Sequence, residues 1–451
     1  MKRTLLGAAI AVLIAYFFVS WRVGFAIEKQ INQPLDLIRG RAPYVEVVEN
    51  TYRRGWFVSE QELTIDLFHN LAGASSAATP YFTPVQIKIH NQIWHGPICG
   101  LTCIGLARVR THVSFGPALQ AYLSSAFGSA EPLHIESRMG FGGGGSATVI
   151  SPAIKDTALS NGARIGWGGV ELKSELARDY SSYSLHGSMP KISYASVDGN
   201  QVEVDDFDLV AHSKRALRTL YEGESNVTIG RISVAGAKAG AAVLSDLRGS
   251  YQSAANNGYM NMIDKVSVGA ITASSLSFSG AHFDFSFNHL EMDSLEQLSA
   301  AMQKVNQDVS LPPAQRGPNL LAAVKHGIVF FSHGPQFALD RFSIAIGGGE
   351  ARLSGKVTLN DVAESDFAAE ADPKAIIQKL DADLDMSIDD AFLNGLPNAA
   401  RVTAQLQSFA DQGLATHANG KFHTKIGFHQ GMTTFDGKSF PPPAPPPALR
   451  R

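Results

Sequence analysis

Leu63-Thr64-Ile65-Asp66-Leu67 and then Val85-Gln86-Ile87-Lys88-Ile89 alternate apolar and polar side chains without a break. Successive side chains of a strand point to opposite faces, so a period of two specifies a sheet with one face packed and the other in water. Tyr44-Val45-Glu46-Val47-Val48-Glu49 and Val202-Glu203-Val204 repeat the pattern. Helical periodicity is confined to short stretches. Leu295, Leu298, Met302 and Val305 line one face behind a Ser294 or Asp293 cap, Ser213–Glu222 has helical spacing, Asp372-Pro373 opens a helix through Leu380, and Asn398–Gln412 is closed by Gly413. Runs of strands broken by occasional helices predict an α+β protein built on a mostly antiparallel, extended sheet, as opposed to the strand and helix alternation of a doubly wound fold.

Val227-Thr228-Ile229-Gly230-Arg231-Ile232-Ser233-Val234 lines up with Phe337-Ala338-Leu339-Asp340-Arg341-Phe342-Ser343-Ile344 at an offset of 110 residues, each after a helix-like stretch. Duplicated sheet-and-helix units would produce that match. The expected organisation is an anchor over 1–26, a β-rich region over 27–200, an α+β region over 201–436 and a proline-rich tail over 437–451, where Pro441–Pro443 and Pro445–Pro447 favour an extended polyproline end.

The start of the chain differs from the rest. Thr4–Trp21 is an uncharged run of 18 residues preceded by Lys2 and Arg3. At ~1.5 Å per residue it is long enough for a hydrocarbon core of roughly 30 Å. The leading cations place the N-terminus in the cytoplasm, and Tyr16 and Trp21 suit the far interface. A cleaved signal peptide is the alternative, with Gly24 and Ala26 as small residues; against it, the run exceeds the usual h-region of ~7 to 15 residues and ends in Phe17, Phe18, Val19 and Trp21. The expectation is one membrane span with the bulk of the chain exported. Ile27, Ile31, Leu35 and Ile38 then mark an amphipathic helix that Pro34 kinks or divides.

Across 451 residues, 45% are hydrophobic and 18% charged, enough apolar material for a large core or two domains. A net charge of −3 without a basic stripe argues against nucleic acid as a partner.

Cys99 and Cys103 are the only cysteines. They form a disulfide if the chain turns between them, since the bond needs Cα atoms within ~7 Å and a straight strand holds them farther apart. Pro97 and Gly100 favour the turn; unpaired thiols or a metal pair with His95 are the other readings. Gly140-x-Gly142-x-x-Gly145 matches the dinucleotide fingerprint, but Ser146–Pro152 after it is strand-like where a helix is needed. Asp381, Asp383 and Asp385 imitate the start of a calcium loop, yet Met386 and Phe392 stand where glycine and glutamate belong, and a strand with its carboxylates in water fits the spacing better. The histidines form no zinc-hydrolase motif, and no Gly-x-Ser-x-Gly elbow occurs. Catalytic, cofactor and metal residues are therefore not assigned, and the expectation is a protein that is not an enzyme.

Two compact motifs remain. Tyr52-Arg53-Arg54-Gly55-Trp56-Phe57-Val58-Ser59 reads either as a basic and aromatic patch beside a membrane surface, through Arg53, Arg54, Trp56 and Phe57, or as a tight turn at Gly55 with an aromatic buried. In Ile93-Trp94-His95-Gly96-Pro97-Ile98, Gly-Pro stops a strand and fixes how Trp94 and His95 emerge. One N-terminal span followed by Tyr-x-Arg-Gly-Trp-Phe-x-Ser and Ile-x-His-Gly-Pro-Ile resembles the YdgA-like family of Gram-negative bacteria. Phe285–Leu298 and Phe435-Asp436-Gly437-Lys438-Ser439-Phe440 extend the likeness along the chain, with Asp436 in place of an asparagine and with a cysteine pair and proline tail that are not family features. The resemblance implies a protein of the inner membrane with a large periplasmic portion, and it brings no catalytic residues.

The functional expectation is an envelope protein that offers an apolar sheet face to lipid or another hydrophobic ligand. The alternative is a scaffold that acts through contacts with other envelope proteins.

Overall fold

The computed structural model describes residues 16, 19–24, 27–28, 45–67, 85–100, 103–159, 161–236, 240–273, 276–307, 313–360, 362–367 and 377–440. Most of the apolar run over 4–21, all but the start of the amphipathic helix after it, most of the helix expected over 372–380 and the proline tail lie outside these residues. Among the described residues no helix is long and apolar enough to cross a membrane. The chain divides into two units, 1–215 with 302–319 and 216–301 with 320–451. The division falls after residue 215 and not at 200, because Gln201–Arg215 is a single strand bonded along its length to the strand before it.

The first unit is an antiparallel meander of β1 (Val45–Arg53), β2 (Val58–Leu67), β3 (Val85–His95), β6 (Ala107–Phe115), β7 (His134–Met139) and β8 (Gly145–Ser151). It continues through β11 (Val170–Leu176), β12 (Ser182–Ala195) and β13 (Gln201–Arg215). β9 (Ile154–Ala158) and β10 (Arg164–Trp167) prolong β8 and β11 past a break at Pro152 and Gly168-Gly169, and β10 pairs with the far end of β12. The helix α1 (Pro117–Phe127) starts at a proline, which suits a first turn whose N–H groups have no partner, and ends at Gly128 with φ of 62°. Gly140–Gly144 is the turn between β7 and β8; the strand that follows leaves no helix N-terminus for a nucleotide.

The second unit is a second meander: β14 (Tyr221–Gly236), β15 (Gly240–Asn256), β16 (Tyr259–Ala273), β18 (Gly280–Glu291), β19 (Gln336–Ile346), β20 (Gly349–Leu359), β21 (Leu380–Asp389), β23 (Lys421–His429), β24 (Met432–Phe435) and β25 (Lys438–Phe440). Short β17 (Leu276–Phe278) and β22 (Thr416–Ala418) pair with β16 and β23. The helices are α2 (Met292–Gln307) and α3 (Pro313–Ser332), of which 302–307 and 313–319 count with the first unit, and α4 (Asp390–Asn394) and α5 (Ala399–Asp411). Met260, Leu290 and Phe330 form the centre of the core here, with Leu295 and Leu298 of α2 and Phe331 of α3 packed around them. The fold class is thus mostly antiparallel sheet with few helices.

Three local expectations are corrected. The α2 cap is the Glu291 carboxylate, which accepts the N–H groups of Asp293 and Ser294, and not Ser294 or Asp293 themselves. Ser213–Glu222 is no helix: β13 ends at Arg215, Ala216 N–H closes a turn on Leu220, and Glu296 takes the Thr219 N–H and hydroxyl. A specific carboxylate has overridden helical spacing. For the same reason the matched segments in β14 and β19 are not repeats of one helix-and-strand unit, since a turn precedes the first and α3 the second. Asp381, Asp383 and Asp385 do lie in a strand, and α5 spans almost the whole of its expected range, with Gly413 at φ of 70° just beyond.

Candidate functional site

Both sequence motifs lie at one end of the β2–β3 pair. β1 turns into β2 through Arg54-Gly55-Trp56-Phe57, and a Cβ on Gly55 would lie 2.0 Å from the Val58 carbonyl oxygen, so the turn accepts only glycine. β3 stops at His95, whose N–H donates to the Phe57 carbonyl at 2.8 Å. Register then brings Ser59 of β2 and His95 of β3 together beneath residues 19–24, which are helical.

Ser59 and His95 are each 1% exposed, and Ser59 Oγ lies 2.8 Å from His95 Nε2. His95 Nδ1 faces the Trp56 carbonyl at 3.3 Å. A carbonyl only accepts, so Nδ1 carries the proton and Nε2 accepts the Ser59 hydroxyl; Ser59 Oγ in turn accepts the Gly55 N–H at 3.3 Å. Burial lowers the His95 pKa below its ordinary value, and Arg54 pushes the same way against the carbonyls of Trp56 and Ser20. Tyr52 has a buried hydroxyl beside this pair, without a well-directed partner, and burial raises its pKa.

The lid over the cluster is the N-terminal helix. Ser20 donates to the Trp56 carbonyl at 3.1 Å, and a Cβ on Gly24 would come within 2.9 Å of the His95 ring. Ile27 is fully buried among Ile93, Ala107 and Val109. Tyr16 stacks on Phe57 and donates to the Ile98 carbonyl at 3.2 Å, while Trp21 meets Trp56. The end of the expected anchor is thus part of the first unit's core. A serine held by a histidine is the arrangement that activates a nucleophile, but a nucleophile must reach substrate, and this pair is enclosed. The cluster serves as a socket. Beside it, Gln61, itself 1% exposed, donates to Asn50 at 2.8 Å and accepts from Asn91 at 2.9 Å, and Thr111 donates to Asn91, so a polar ladder crosses β1, β2, β3 and β6.

Trp94 and His95 part company, as neighbours on a strand must. Trp94 lies on the other face, against Gly100 and under the Arg108 guanidinium at 5.6 Å, with Arg108 paired to Glu136. Arg53, Arg54 and Trp56 are exposed and Phe57 is half-buried; Arg54 pairs with Glu28 at 3.2 Å. Cys99 and Cys103 face each other across β4 (Ile98–Cys99) and β5 (Cys103–Ile104) with Cα atoms 5.2 Å apart, joined as a disulfide; His95 points away into the socket.

The second unit carries a different kind of site, which the motifs did not reveal. Directly paired residues of antiparallel strands point to the same side. One row runs Val266, Phe283, Phe342, Leu353, Met386 across β16, β18, β19, β20 and β21. The next runs Phe285, Leu339, Gly355, Leu384, Ile426, Phe435, and the third Met262, Phe287, Phe337, Val357, Ala382, Phe428. Asp264 is the one carboxylate in these rows, and burial raises its pKa. Helices α2 and α3 pack on the third row at Met262, Phe287 and Phe337, whereas Phe283 is 46% and Phe342 42% exposed, edge to face 6.2 Å apart. The reverse face is polar: His423 meets Asp385, His429 meets Asp381 and Asp383, and Lys356 approaches Asp383. Among the described residues no cluster of three or more histidines, cysteines or carboxylates could hold a metal ion. The sequence signals for the apolar face were the period-two runs Phe283-Asp284-Phe285-Ser286-Phe287 and Ala382-Asp383-Leu384-Asp385-Met386, each too short to show what its neighbours present.

No curated protein and no solved structure matches the chain. A family model matches residues 1–443, and with that coverage the chain belongs to a bacterial protein family of unknown function, DUF945.

Proposed function

We propose that this protein is a non-catalytic envelope protein, held at the bacterial inner membrane by the uncharged run that starts at Thr4 and whose far end, from Tyr16, is seated on the first unit, with its sheet units on the periplasmic side, and that the apolar face of the second unit binds lipid or another hydrophobic ligand. The observation that carries the reading is the exposed Phe283–Phe342 pair on a face apolar in three successive rows. Aromatic surface left in water on the rows the helices do not cover favours an apolar occupant. The anchor reading draws on the uncharged run and on the likeness of the two motifs to YdgA-like proteins, which implies the same location.

The test compares the full chain with a Phe283→Arg/Phe342→Arg double variant, both extracted in detergent and exchanged until annular lipid is constant. Bound lipid is then quantified by mass spectrometry. The reading expects a stoichiometric lipid in the wild type that the variant lacks. Equal lipid in both overturns it, and a protein that co-purifies at fixed ratio only with the wild type points to the scaffold.

A further inference from the structure

Register aligns the turns of the first unit along one edge. His95 pairs with Ala107, Ala107 with Met139, Met139 with Gly145, Gly145 with Leu176 and Leu176 with Tyr183. The β1–β2 turn, the β4–β5 hairpin, the glycine turn at 140–144 and the turn at 177–181 therefore emerge side by side. They also touch. A Cβ on Gly105 would meet the Met139 carbonyl oxygen at 2.6 Å, and one on Gly143 would meet the Arg178 side chain at 2.6 Å.

Turn residues are ordinarily polar, yet each of the first three turns presents a large apolar side chain to solvent. Trp56 is 61% exposed, Ile98 46%, Ile104 84% and Phe141 57%. Ile98 and Ile104 are partners across the disulfide-bridged hairpin, and Gly140, Gly142 and Gly143 leave Phe141 alone at the tip of its turn. Arg22, Arg53 and Arg178 are exposed along the same edge. The helix at 19–24, which ends the uncharged run, is seated here through Ser20 on Trp56 and Tyr16 on Ile98.

We infer that this row of turns is a membrane-contacting edge, with Trp56, Ile98, Ile104 and Phe141 inserted at the interface of an anionic phospholipid bilayer and arginines at the phosphates. Aromatic and aliphatic tips beside arginine are the chemistry of that boundary, where the ring or alkyl group leaves water and the guanidinium keeps it. The inference rests on the reading of the uncharged N-terminal run as a membrane anchor, because its far end is seated on this edge and would bring it to the bilayer. It assigns a role to the glycine turn and the cysteine hairpin, which the ligand-binding face leaves without one. The opposite edge supplies an internal control: Val197, in the turn between β12 and β13, is 71% exposed.

The experiment places a photoreactive benzoylphenylalanine at position 104, 141 or 197 of the full chain. Each variant is reconstituted in nanodiscs of phosphatidylethanolamine and phosphatidylglycerol, irradiated, and its adducts are identified by mass spectrometry. Phospholipid adducts at 104 and 141, several-fold above 197, are expected. A chain that enters the nanodisc but gives no lipid adduct at 104 or 141, or gives as much at 197, or is crosslinked there only to protein, overturns the edge while leaving the anchor intact. A chain that does not associate with the nanodisc at all overturns the anchor and the edge together.

Discussion

The socket around His95 and the face around Phe283 handle water in opposite ways. In the first, polar groups are enclosed and depend on partners inside, as Ser59 and His95 do at 2.8 Å. In the second, apolar rings remain open to solvent although helices cover part of the same sheet face. A buried polar group without a partner costs about 1–3 kcal/mol, whereas an exposed ring costs the fold little and is available to a ligand. Stability therefore concentrates in the socket, and the open face is where the proposed ligand would bind.

The contrast can be broken first at Gly96, where a Cβ would fall 1.7 Å from the Gly105 carbonyl oxygen. Gly96→Ala should destabilise the first unit by about 3 kcal/mol, measured as a lower urea midpoint, and near-wild-type stability would mean the socket wall is pliant. Ser59→Ala removes the proton that His95 Nε2 accepts and should cost about 1–2 kcal/mol in the same measurement. A loss below a few tenths would show that the enclosed pair contributes nothing.

Acid should act on the socket more gently. The folded pKa of His95 is depressed by burial, so the unfolded imidazole, with its ordinary pKa near 6.5, takes the proton more readily. Stability from the neutral ring is complete above about pH 6.5 and is lost as pH falls towards the folded value. Between about pH 7.5 and pH 5.5 the urea midpoint of the wild type should drop more than that of His95→Gln. Parallel drops would place the acid sensitivity outside the socket.

The smallest stability effect is expected at the open face. Phe283→Ser should cost no more than about 1 kcal/mol, because the ring is half in water and loses only its ring contacts with Phe285 and its cross-strand partner Phe342. A loss comparable to that of Gly96→Ala would make the ring core rather than ligand surface.

Much of this was legible in the chain. Alternation in Leu63–Leu67 and Val85–Ile89 specified strands because side-chain direction on a strand is a local property. Gly96-Pro97 ended β3, and Asp436-Gly437 formed the last hairpin, where φ values of 44° and 78° suit aspartate and glycine. Ser213–Glu222 misled because one distant carboxylate, Glu296, outweighed local spacing. What the sequence could not supply was partnership: Ser59 and His95 are 36 residues apart, Phe283 and Phe342 are on strands separated by two helices, and Trp56, Ile104 and Phe141 share an edge only through pairing register. Periodicity is written within a strand, but which strands pair, at what register, and which face the helices leave uncovered depend on packing across the whole unit, and so the tertiary structure alone decided them.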